Sequence, residues 1–82
     1  MNKITCAIVD DEPLARALLE SYVQKTPFLT LKGQYDSASS ALRDLISDPV
    51  DVAFLDIQMP DLDGLNLSRM VPPETRVIFA TA

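Results

Sequence analysis

Two short apolar runs in this sequence stop abruptly on acids, and that pattern constrains the fold more than anything else in it. Ile4-Thr5-Cys6-Ala7-Ile8-Val9 ends on Asp10-Asp11-Glu12-Pro13, and the run from Val50 to Leu55 ends on Asp56. Runs this short, nearly continuous and rich in β-branched residues suit strands buried on both faces, as in a parallel sheet. Between them lie stretches with helical spacing. Leu14, Leu18 and Tyr22 recur at i+4 beside Ala15, Leu19 and Val23, which predicts an amphipathic helix opened by Pro13 and ending near Lys25-Thr26-Pro27. Phe28 to Tyr35 alternates apolar and polar residues and reads as a half-exposed strand. Asp36 and Ser37 are good caps for a second helix carrying Ala38, Ala41, Leu42, Leu45 and Ile46 on one stripe. A short helix over Leu65 to Val71 and a fourth strand from Arg76 to Ala82 complete the pattern.

Alternating strands and helices predict an α/β chain, a doubly wound parallel sheet with right-handed crossovers. Ligands of such sheets bind beyond the carboxyl ends of the strands. Asp10, Asp11 and Glu12 follow the first strand, Asp56 closes the third and Thr81 closes the fourth, so their polar groups are expected to meet at one rim.

Composition narrows the chemistry. A chain of 82 residues supports one small core, and 48% hydrophobic residues is too many for a disordered segment. No apolar run approaches the roughly 18 residues needed to cross a bilayer, and Met1 to Val9 does not read as a signal peptide, which makes the cytoplasm the expected compartment. The net charge of −5 repels a phosphate backbone, so direct nucleic-acid contact by these residues is not expected. There is no histidine, which removes Ser-His-Asp catalysis and the common zinc sets. The single Cys6 sits in an apolar run and reads as a small buried hydrophobe.

What remains is carboxylate chemistry. Unit charges about 4 Å apart at an effective dielectric near 20 repel by roughly 4 kcal/mol. A hard divalent cation such as Mg²⁺, which takes one or two carboxylates, a carbonyl and waters, is the natural counterpart, and the main-chain carbonyl of Gln58 is placed to contribute. A carboxylate can also attack a phosphoryl group to give an aspartyl phosphate, with hydroxyl and backbone donors stabilising the transferring oxygens. Thr81 is a candidate for such a donor. The competing reading of Asp10 or Asp11 is as a simple cap on the first helix.

The run Val9-Asp10-Asp11-Glu12-Pro13-Leu14-Ala15-Arg16, the run Phe54-Leu55-Asp56-Ile57-Gln58-Met59-Pro60 with Asp63-Gly64-Leu65, and the terminal Ile78-Phe79-Ala80-Thr81-Ala82 together resemble the receiver domain of bacterial two-component response regulators. The first two runs resemble the LytTR class in particular, whose receivers usually precede a DNA-binding domain. The resemblance implies the flavodoxin-like receiver fold with strand order 2-1-3-4, and residues 1–82 as the N-terminal two-thirds of such a domain. It implies Asp56 as phosphoacceptor from a histidine kinase. Asp11, Asp56 and the Gln58 carbonyl would be Mg²⁺ ligands, with Asp10 acting through a water. Thr81 would be the switch hydroxyl and the Ala82 N–H a donor beside it, while Met59-Pro60 and Asp63-Gly64 shape the loop. It further implies a signalling role without enzymatic turnover, regulating transcription through DNA contacts made elsewhere.

The family pattern also has a lysine at the end of a fifth strand, and no counterpart is found in these residues. Lys3 precedes the first strand, about 20 Å from the rim. Lys25, Lys32 and Arg76 sit on a helix end, a strand face and the wrong strand end. The fourth strand is expected to present Val77, Ile78 and Phe79 as an apolar edge, open to self-association or a homodimer. Other readings are a pseudo-receiver interaction module, which the missing lysine favours, and a Mg²⁺-dependent aspartyl-phosphate phosphohydrolase, whose Asp-x-Asp signature is lacking. A calcium loop around Gly64 fails, because it puts Met59 and Met70 at its first and last ligand positions.

Overall fold

The computed structural model describes residues 3–59 and 64–80. The elements follow the order β1 (Ile4–Val9), α1 (Pro13–Gln24), β2 (Leu29–Tyr35), α2 (Ala38–Ser47), β3 (Val52–Leu55), α3 (Gly64–Met70) and β4 (Arg76–Phe79). The strands form one parallel sheet ordered β2-β1-β3-β4, as the alternation predicts.

β1 pairs on both sides, which is why its sequence is apolar at almost every position. Cys6, Ala7, Ile8 and Val9 are all 1% exposed or less. Alternate residues feed two cores: Cys6 and Ile8 pack with Val23 of α1, while Ala7 and Val9 pack with Ala38, Ala41 and Leu45 of α2 and Leu67 of α3. Cys6 is thus the core residue its context suggests, and burial pushes its thiol pKa up.

The two helical stripes are wider than the surfaces they cover. On α1, Val23 is buried and Leu19 packs beside it, whereas Leu14, Leu18 and Tyr22 are 79%, 53% and 57% exposed. The expectation that both rows of this helix pack on the strand is corrected. The row through Leu14 lies about 100° around the axis from the next one, too far to reach the same sheet face. Ile46 is likewise exposed on α2. Ser37 caps α2, accepting the Ser40 N–H at 3.2 Å.

β4 is the edge strand, with Ile78 and Phe79 exposed and Val77 packed against the α2 and α3 core. Among the described residues no helix is long and apolar enough to cross a membrane.

Candidate functional site

The register of the two central strands places the acids. Val9 pairs with Leu55, so the residues that follow, Asp10 and Asp56, leave the sheet side by side at its carboxyl end. Main-chain bonds extend the ladder past the strands: Asp56 N–H donates to the Val9 carbonyl at 2.9 Å and Asp10 N–H to that of Tyr35 at 3.1 Å. Asp11 projects from the next position. Carboxylate oxygens of Asp10, Asp11 and Asp56 lie within 4.8 Å of one another. Asp10 is 4% exposed, Asp56 half-buried and Asp11 exposed.

Both strand-end acids are held the same way. Asp10 Oδ1 accepts the Glu12 N–H at 2.9 Å, and Asp56 Oδ1 accepts the Gln58 N–H at 3.1 Å. Each is the local bond from an Asp oxygen to the backbone two residues on. The cap on α1 is Glu12, whose side chain accepts the Leu14 N–H at 3.4 Å. The capping reading of Asp10 and Asp11 is therefore not what the structure shows, and both carboxylates are left to the rim.

An open cavity of about 570 Å³ lies over the acids, lined by Asp10, Glu12, Asp56 and Gln58 with Leu18 and Ala80 on its apolar wall. That is within the range of small-ligand sites. Gly64 closes the cluster from behind. Its N–H donates to the Ile57 carbonyl at 2.8 Å, and a Cβ built there would lie 2.1 Å from the Asp56 carbonyl oxygen. The need for glycine at this position is one of close approach, since its φ is not positive. Met59 is buried in the core beneath the loop. Thr81, Ala82, Pro60 and Asp63, to which the sequence assigns roles, lie outside the described residues.

Burial pushes the Asp10 carboxyl above its usual range; the Glu12 N–H opposes this, and the charges of Asp56 and Asp11 add to it. A carboxyl raised in the fold stabilises it most below the unfolded pKa, and that contribution is lost as pH rises through the folded value. In metal-free protein near neutral pH, Asp10→Asn is therefore expected to raise the melting midpoint by a few degrees, the scale on which about 1 kcal/mol moves it. The gap from wild type should narrow on acidification. A midpoint lowered at neutral pH, measured by calorimetry in EDTA, would contradict the assignment.

One residue passed over in the sequence reading also reaches the rim. Arg16 Nη1 donates to the Asp10 carbonyl at 2.7 Å. The signal was available, because helical side chains lean toward the N-terminus and a long one in the second turn reaches back over the first.

Comparison with known proteins agrees with this geometry. The model of the "Response regulator receiver domain" family matches residues 6–82. The transcriptional regulatory protein BtsR of Escherichia coli K12 is 40% identical over 81 residues, covering 96% of this chain and 34% of that protein. An uncharacterized response regulatory protein of Shewanella oneidensis is 38% identical over the same shares. The chain thus spans about a third of the length of these relatives. Among solved structures, the signal receiver domain of the putative response regulator NarL from Mycobacterium tuberculosis superposes with a TM-score of 0.88 at 28% identity, over 100% of this chain and 68% of that one. The response regulator domain of Thermotoga maritima CheB gives 0.89 at 27%, over 98% and 61%. This family is not one of catalytic enzymes. A four-stranded parallel sheet ordered 2-1-3-4 with an acidic cluster at its carboxyl edge, matched along 6–82 by the family model, makes this chain a member of the response regulator receiver domain family.

Proposed function

We propose that the chain receives a phosphoryl group on Asp56 from the phosphohistidine of a sensor kinase. The observation that carries this reading is the convergence of three carboxylates within 4.8 Å, of which Asp10 and Asp56 line an open cavity, with Asp56 the one at the end of the central β3. Asp10 is 4% exposed with its Oδ1 held by the Glu12 N–H, so it is the less accessible of the two strand-end acids. Asp56 keeps one oxygen on the Gln58 N–H and presents the other. As that oxygen bonds to phosphorus, the P–N bond of the donor breaks and its electron pair leaves with the imidazole nitrogen.

The donor set fits Mg²⁺. Its oxygens are hard and anionic, and those of three carboxylates come within 4.8 Å of one another, where a divalent cation would offset their repulsion. Asp11, Asp56 and the Gln58 carbonyl are assigned as the residues that hold the ion, with Asp10 acting through water. Bound there, the ion would neutralise the cluster and the phosphoryl oxygens. Thr81 is assigned as the switch hydroxyl and the Ala82 N–H as a further donor. The likeness to BtsR and the motifs at 10–16 and 55–60 support a LytTR-class regulator of transcription, working in the cytoplasm and contacting DNA through another part of the protein.

In the full-length protein, a small acyl phosphate is expected to label the chain with Mg²⁺ and not in EDTA. Asp11→Ala is expected to weaken Mg²⁺ binding at least about tenfold, the equivalent of 1.4 kcal/mol, by isothermal titration calorimetry. Unaltered affinity would show the ligand set to be wrong, and absent labelling in the wild type would favour the pseudo-receiver.

A further inference from the structure

The N–H, the carbonyl and one carboxylate oxygen of Asp10 are each engaged by a different part of the fold. Its N–H donates to the Tyr35 carbonyl at the end of β2 at 3.1 Å, and its Oδ1 accepts from the Glu12 N–H in the turn at 2.9 Å. Its carbonyl accepts from Arg16 Nη1 of α1 at 2.7 Å. The last bond matters most for the neighbouring residue. The Asp10 carbonyl belongs to the peptide that joins Asp10 to Asp11, and because that unit is planar, fixing the C=O fixes the N–H and the Cα of Asp11 with it. The point from which the Asp11 side chain leaves the turn is then tied to α1, with the Asp11 φ the one backbone rotation left between that peptide and its Cβ. Asp11 is itself exposed, so packing does little to hold it.

The bond is charge-assisted and short, and the guanidinium that makes it is planar with several donors at fixed angles. It is anchored by a helix whose own first bond, from the Arg16 N–H to the Glu12 carbonyl at 3.0 Å, spans the same turn. The turn between β1 and α1 is thereby tied at both ends by one residue.

We propose that Arg16 is a positioning residue for the metal site: it orients the Asp10–Asp11 peptide so that the Asp11 carboxylate converges with Asp10 and Asp56. This rests on the reading of Asp11 as a Mg²⁺ ligand. Its consequence is for affinity rather than for the phosphoryl step, since Arg16 acts on the ligand through the main chain. Saturating Mg²⁺ then restores what a loosened turn loses.

The test uses the full-length protein, Mg²⁺ titration by calorimetry, acyl-phosphate labelling across a Mg²⁺ series, and melting in EDTA. Arg16→Met is expected to weaken Mg²⁺ binding about tenfold, in the range seen when the partners of metal ligands are removed. Its labelling rate at saturating Mg²⁺ should stay within about twofold of wild type. Arg16→Lys, which keeps a cationic donor without the planar fork, is expected to fall between the two. Wild-type Mg²⁺ affinity in a folded Arg16→Met protein overturns the proposal. If Arg16→Met does not fold, Arg16→Lys decides: a loss of about threefold at an unchanged melting midpoint supports the proposal, and unchanged affinity overturns it. Failure of the underlying site is separable, because Asp11→Ala would then bind Mg²⁺ as wild type does.

Discussion

Gly64→Ala is expected to unseat the loop that carries Asp56. The added methyl would stand 2.1 Å from the Asp56 carbonyl oxygen, 2.8 Å from its carbon and 3.0 Å from Ile57 Cα. All of these are main-chain atoms, with no flexible side-chain end to give way. Alanine at a helix start gains up to about 1 kcal/mol in propensity over glycine. Overpacking against rigid backbone costs typically 1–3 kcal/mol and occasionally more, so the clash outweighs the gain. A net loss of about 2 kcal/mol is expected, together with a fall in phosphoryl acceptance, because relief comes only by moving the peptide of Asp56 or breaking the 2.8 Å bond from Gly64 N–H to the Ile57 carbonyl. Calorimetry and acyl-phosphate labelling read both effects. A variant that melts and labels as wild type would show that the loop and α3 are not in the contact described.

Asp56→Asn has the larger effect on function and the smaller one on the fold. The amide oxygen can still accept the Gln58 N–H that Asp56 Oδ1 accepts at 3.1 Å, so the loop should keep its shape. One of three converging charges is removed, and the metal-free protein should melt no lower than wild type. Labelling by a small acyl phosphate is expected to disappear, since an amide oxygen is no nucleophile toward phosphorus under these conditions. Persistent labelling in a folded Asp56→Asn protein would move the acceptor elsewhere.

The sheet and its rim were legible because β1 and β3 are apolar runs cut short by acids, and because strand ends gather ligands in this architecture. The convergence of Asp10, Asp11 and Asp56 follows from that topology without any side-chain detail. What escaped the sequence depends on distance and direction. Leu14, Leu18 and Tyr22 look like core by spacing, yet the sheet reaches only the neighbouring row of α1. Glu12 could not be singled out as the cap from three consecutive acids. Gly64 was read as a backbone requirement, but its contact with Asp56, eight positions earlier, appears only when the loop is closed. For Arg16 the helical position shows that the side chain leans back over the first turn, but its partner is a main-chain carbonyl that only the folded turn brings within reach.

The central claim is that Asp56 carries the phosphoryl group. It is tested most directly by labelling the full-length protein with a small acyl phosphate and Mg²⁺, reducing the acyl phosphate with borohydride, and mapping the resulting homoserine by peptide mass spectrometry. The account predicts a single modified position, 56, that disappears when EDTA is present during labelling. Homoserine at position 10 or 11, or a phosphoryl group retained on a hydroxyl side chain with position 56 unmodified, would contradict it.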